Sequence, residues 1–229
     1  MRLSTLLSVF ITLTVLATPV ASARAPEEWA KRLDEYQKLL EKGAYETALP
    51  KLEMICEEIV NGPEPGSVET RDLLVRALTQ RAVAEIGAQH TDNGLWYWAA
   101  AQNIDARSAQ SDLSSFSEPS AFLRDHRLLR PLPQQCPPSA NRPRPTVTKT
   151  VSLRYPEGAR KLRVQGLSVV QVSVDERGRP NNPRVIAHLP AAMEFAALES
   201  MREWRFEAAK RDGVAVPSEY CASVLFRLK

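Results

Sequence analysis

Apolar residues return every third or fourth position between residue 26 and about residue 129, whereas beyond residue 150 several short runs alternate apolar and polar. The first spacing keeps one face of an α-helix apolar and the second does the same for a strand, so the chain predicts a helical front and a mixed back. A first helix over residues 27–42 places Trp29, Leu33, Tyr36, Leu39 and Leu40 on one stripe, and Gly43 can take the left-handed stop. A second over 45–60 carries Leu49, Leu52, Ile55, Cys56 and Ile59, with Pro50 only kinking its start. Further helices are predicted over 68–89, 94–109 and 118–126. In the back part the pattern predicts a short helix over 156–162 and a strand over 167–174 with Val170, Val172 and Val174 on one face. The turn Asp175-Glu176-Arg177-Gly178-Arg179-Pro180 leads to a second strand over 183–189, with Val185, Ala187 and Leu189 inward. An amphipathic helix over 191–204 carries Phe195, Leu198 and Met201, and a last strand over 220–228 turns Val224, Phe226 and Leu228 inward. Three antiparallel strands with two helices on one face make a two-layer α+β domain.

The expected fold class is therefore mainly α plus α+β, in four stretches: 1–23, a helical domain over 24–129, a linker over 130–150 and the α+β domain over 151–229. The linker holds Pro131, Pro133, Pro137, Pro138, Pro143 and Pro145, which exclude helix and interior strand and predict a semi-rigid extended spacer. The run Leu39-Leu40-Glu41-Lys42-Gly43-Ala44-Tyr45-Glu46-Thr47-Ala48 resembles the turn of a tetratricopeptide repeat, which implies a helical-hairpin, repeat-like arrangement of the front domain. An ordinary small helical bundle is the alternative.

The N-terminus changes the picture next. Arg2, the apolar stretch from Leu6 to Ala17 and Ala21-Ser22-Ala23 have the form of a cleavable export signal, with the mature chain starting at Arg24. Residues 4–22 retained as a membrane anchor are the competing reading, although spanning takes about 20 apolar residues and Thr12, Thr14, Thr18 and Pro19 dilute this run. Export implies a compartment in which disulfides persist. Of the three cysteines, Cys56 sits on an apolar helical stripe, so Cys136 and Cys221 are the candidate pair. Cys221 has the opposite strand parity to Val224 and Phe226, so it is either covered through that bridge or exposed.

Charge is uneven: residues 24–129 hold 12 Lys/Arg against 18 Asp/Glu, and residues 130–229 hold 17 against 9. The basic residues of the back half are dispersed and not massed with aromatics, so protein partners or an anionic surface fit them better than nucleic acid. His90, His126 and His188 are scattered, the cysteines lack C-x-x-C spacing, and no phosphate-cradling loop, nucleophile elbow or H-E-x-x-H run occurs. No enzyme, cofactor or metal site is expected.

One order of residues carries more specific information: Tyr155-Pro156, Ala159, Gly166, Gly178, Trp204-Arg205-Phe206-Glu207-Ala208-Ala209, Gly213 and Val224-Leu225-Phe226-Arg227-Leu228. At these separations it resembles the TonB C-terminal domain. The resemblance implies a periplasmic module that binds a short extended peptide of an outer-membrane receptor along its last strand. It implies partner contacts at Ser152, Leu153, Arg154 and Tyr155, at Trp204 and Phe206, and along the strand from Tyr220 through Val224 and Phe226. Ser152 and Arg154 stand where the family would have Gln. The family also has an uncleaved anchor and a long Pro-rich spacer, where this chain is expected to carry a cleavable signal, a helical region and a spacer of some twenty residues. The expected function is thus periplasmic binding of envelope proteins by β-strand addition, a TonB-dependent receptor among them. A membrane-anchored energy transducer is the alternative.

Overall fold

The computed structural model describes residues 25–128, Cys136 and residues 143–228. The export or anchor segment lies outside the described residues, as does most of the Pro-rich stretch.

Helix α1 (Ala25–Glu41) buries Trp29, Leu33, Tyr36 and Leu40, while Leu39, placed on the same stripe by the sequence pattern, is only partly buried. It ends where Gly43 takes φ +72° and the Ala44 N–H reaches back to the Leu39 carbonyl, closing the helix with the left-handed cap that its glycine permits. Helix α2 (Tyr45–Val60) contains Pro50 and buries Leu52, Ile55, Cys56 and Ile59. Ser67 caps helix α3 (Val68–Gly87) by accepting the Thr70 N–H. From Ala77 to Ile86 every residue of α3 is buried, because α1, α2, α4 and α5 pack around it together with a helix of the back domain. Helix α4 (Thr91–Ile104) starts earlier and stops sooner than expected, giving way to a 3-10 turn at Ala106–Gln110. Asp105 caps that turn through the Arg107 N–H, which ends the α-helical path. A second 3-10 turn (Ser114–Phe116) precedes α5 (Glu118–Asp125).

The back domain begins earlier than the hydrophobic pattern indicated. Strand β1 (Thr146–Lys149) falls inside the predicted linker and pairs antiparallel with β4 (Arg205–Glu207), Val147 facing Phe206. Neither was anticipated, because three- and four-residue strands are too short to show alternation. Helix α6 (Glu157–Lys161) follows, then strands β2 (Gly166–Val174) and β3 (Pro180–Ala187), helix α7 (Ala191–Arg202), β4, the small hairpin β5 (Lys210–Arg211) and β6 (Val214–Ala215), and β7 (Ser218–Phe226). The helix expected to reach Trp204 ends at Arg202, since Phe206 is drawn into the β1–β4 ladder. The main sheet has the order β3-β2-β7, all antiparallel, with Val170, Val172, Val174 and Phe226 fully buried on its inner face.

The two parts are not held apart by a spacer. Helix α7 packs on β2 and β3 with one side and on α2, α3 and α4 with the other, so both parts share one hydrophobic core. The C-terminal two-layer unit thereby gains a third, helical layer.

Candidate functional site

Strand β7 is one outer strand of the sheet, paired along its whole length with β2 and, among the described residues, with nothing on its other side. Side chains of such a strand alternate between faces, and every second pair of main-chain N–H and C=O groups points away from the neighbour. Tyr220, Ala222, Val224 and Phe226 point inward, while Glu219, Ser223 and Leu225 are exposed on the outer face. Leu225 lies opposite Leu167, and both are about half exposed.

The residues singled out from the sequence form two groups at the ends of this strand. At one end Tyr155 meets the Phe226 ring edge-on at 5.4 Å, and its hydroxyl donates to the Val164 carbonyl. Arg154, next to it, is exposed and lies 3.3 Å from Glu57 of α2. At the other end Phe206 packs edge-on against Tyr220 at 4.9 Å, and Trp204 lies 6.3 Å from each. Tyr220 and Phe226 are six residues apart along one strand, roughly 20 Å. They lie toward the two ends of β7 and do not converge on one pocket. Val224 and Phe226 are buried, so only their main chain is available to a partner.

Cys221 faces away from the core, and its sulfur is bonded to Cys136, with the two Cα atoms 6.2 Å apart. Cys56 is the free thiol of the described chain; it is fully buried, and burial pushes its pKa up to about 12. A thiol in that state packs as a small hydrophobe.

Where the two parts meet, a cleft of about 460 Å3 opens between α2, α7 and the segment from Val151 to Pro156. On its wall the Arg81 guanidinium lies 4.0 Å above the Tyr97 ring, and Arg202 approaches the same ring at 5.5 Å. The Tyr97 hydroxyl donates to Glu199 at 3.5 Å. Burial holds the Tyr97 phenol and the Glu199 carboxyl above their ordinary values, with the two arginines only partly opposing it. This junction was not read from the sequence, since its four residues come from three helices at no local spacing. The described residues contain no cluster of three or more His, Cys, Asp or Glu side chains able to hold a metal, and no described helix is long and apolar enough to cross a membrane.

An antiparallel three-stranded sheet backed by α7, with one outer strand that pairs on one side only among the described residues and is flanked by aromatics, defines a small α+β domain. The family model for the Gram-negative bacterial TonB protein C-terminal matches residues 151–228. Protein TonB of Yersinia enterocolitica is 35% identical over 75 residues, covering 32% of this chain and 27% of that protein. Protein TonB of Salmonella typhimurium is 34% identical over 76 residues, covering 33% and 29%. Residues 151–228 are therefore similar to the TonB C-terminal domain. The chain spans less than a third of the length of those relatives.

Proposed function

We propose that this chain is a periplasmic binding protein of the TonB family which takes up an extended segment of an envelope protein as a fourth strand along β7. TonB-family domains act in TonB-dependent transport by protein–protein interaction and not by catalysis, and the segment fitting this border best is one that a TonB-dependent outer-membrane receptor presents in extended form. The observation that carries the reading is the outer position of β7, whose nine residues contain no proline and pair, among the described residues, with β2 alone. An incoming strand satisfies the outward N–H and C=O groups, and side chains on either face then select its sequence. The aromatic pairs at the two ends of β7 are placed to meet the ends of such a guest.

The test uses the whole mature chain and synthetic peptides covering the periplasm-facing segment of a TonB-dependent receptor. Hydrogen exchange is followed residue by residue as peptide is added. Alternate amides of β7 should slow at least tenfold while those of β3 do not change. Protection that appears elsewhere, with β7 unaffected, would reject strand addition at this border.

A further inference from the structure

A three-stranded sheet has two outer strands, and main-chain chemistry alone does not distinguish them. The border of β3 is closed, and the group that closes it belongs to the helical part of the chain. Asn103, near the end of α4, donates from Nδ2 to the Pro183 carbonyl at 2.8 Å and accepts the Val185 N–H on Oδ1 at 2.8 Å. Those two main-chain groups lie two residues apart on one side of the strand, which is the pair that a neighbouring strand would engage. One carboxamide thus supplies the donor and the acceptor of an absent strand. The amide is also anchored to its own helix through the Ala99 carbonyl at 2.8 Å, and both Asn103 and Val185 are almost wholly buried. Pro180 and Pro183 remove two more donors from β3. No comparable side-chain bond reaches the main chain of β7 among the described residues.

We propose that Asn103 determines which border of the sheet can take a partner: by docking on β3 it makes the helical part a resident occupant of that border, so that partners are directed to β7. Asparagine and glutamine carry a neutral donor and acceptor together, whereas aspartate supplies only acceptors and leucine neither. Replacing Asn103 by an apolar residue of similar size leaves the Pro183 carbonyl and the Val185 N–H buried and unpaired, and they regain partners only when the helices move off or another strand arrives. The assignment to β7 rests on the strand-addition reading; the closure of β3 does not.

The experiment compares the full chain with Asn103→Leu in three measurements: exchange of the Val185 amide, mass by sedimentation over a hundredfold range of concentration, and the number of receptor peptides bound per chain. Expected for Asn103→Leu are Val185 exchange at least tenfold faster, with Val170 and Val172 unchanged, and either concentration-dependent self-association or a second bound peptide. Unchanged exchange, mass and peptide number would overturn the proposal, as would faster exchange with no gain of any partner. If Asn103→Leu does not fold, the milder Asn103→Ser is measured against the same criteria. A wild-type chain that binds no peptide, beside a variant that self-associates, would remove strand addition at β7 and leave the closure of β3 standing.

Discussion

Gly178 shows how one residue can serve two levels of structure. As the sequence suggested, it is a turn residue, with φ +73° and its N–H donated to the Asp175 carbonyl, while the Asp175 side chain accepts from the Arg177 and Arg179 amides. What the turn signal did not reveal is that its carbonyl accepts the Phe206 N–H at 3.0 Å, so that a β-carbon on residue 178 would sit 1.8 Å from the Phe206 carbonyl oxygen. Gly178→Ala therefore meets both a disfavoured φ and a backbone collision. It should destabilise the protein by about 2–3 kcal/mol, read from denaturant unfolding of the full chain. A loss below about 0.5 kcal/mol would mean that the β2–β3 turn does not need its contact with β4. Other single residues were legible in kind but not in partner. Tyr155, implied as a partner contact by the resemblance, packs on Phe226 with its hydroxyl bonded to the Val164 carbonyl. Arg154, implied as a partner contact by the resemblance, has Glu57 beside it, and an exposed pair of this sort contributes only about 0–1 kcal/mol.

Among the elements, the long amphipathic ones were readable because each helix or strand repeats its own burial over many residues. Helix α2 and the core stripes of α1, β2 and β7 follow their sequence patterns closely. The weak points were α3 and α4, which are surrounded on nearly all sides and so lose the contrast of faces, and the short strands β1 and β4, which exist only because they pair with each other. The Cys136–Cys221 bridge joins elements that no local pattern connects, closing a separation of 85 residues across the start of the back domain. Constraining a loop of that size is worth on the order of 4–5 kcal/mol in the chain-entropy account, with about 2–4 kcal/mol typical of measurement. The double variant Cys136→Ser with Cys221→Ser should lose about 2–4 kcal/mol by urea unfolding. Cys56 in the folded variant should stay unreactive toward alkylating reagents until the protein unfolds. Rapid labelling of Cys56 under native conditions would contradict its buried place between α2 and the junction.

At the scale of the whole molecule, the acidic front and the basic back pack on one another through α7. The junction around Tyr97 makes this testable through pH. Burial raises the Glu199 carboxyl in the folded chain. A raised carboxylate contributes its stability below the unfolded value, near 4.5, and that contribution is lost as pH rises through the folded value. Glu199→Gln removes the charge that burial penalises. It should therefore raise the melting temperature at pH 7 to 8 by about 2–4 °C, the response of a chain this size to about 1 kcal/mol, and the difference should close as pH falls below about 4. A variant less stable than the wild type at pH 8 would show instead that the arginines around Tyr97 need the Glu199 charge. The sequence by itself determined the helical front, the order α6, β2, β3, α7 and β7 of the back, the inward positions Val170, Val172, Val174, Val224 and Phe226 and the resemblance of the last 80 or so residues to the TonB C-terminal domain, because periodicity and turn chemistry are local and act over a few neighbours; Leu228, expected inward, lies beyond β7. Only the tertiary structure decided that α7 lies between the sheet and the helices, that Asn103 closes β3 and that Cys136 and Cys221, the candidate pair of the sequence, are joined. Such contacts join residues far apart in the chain, and their energy depends on which surfaces are brought together and not on any spacing along it.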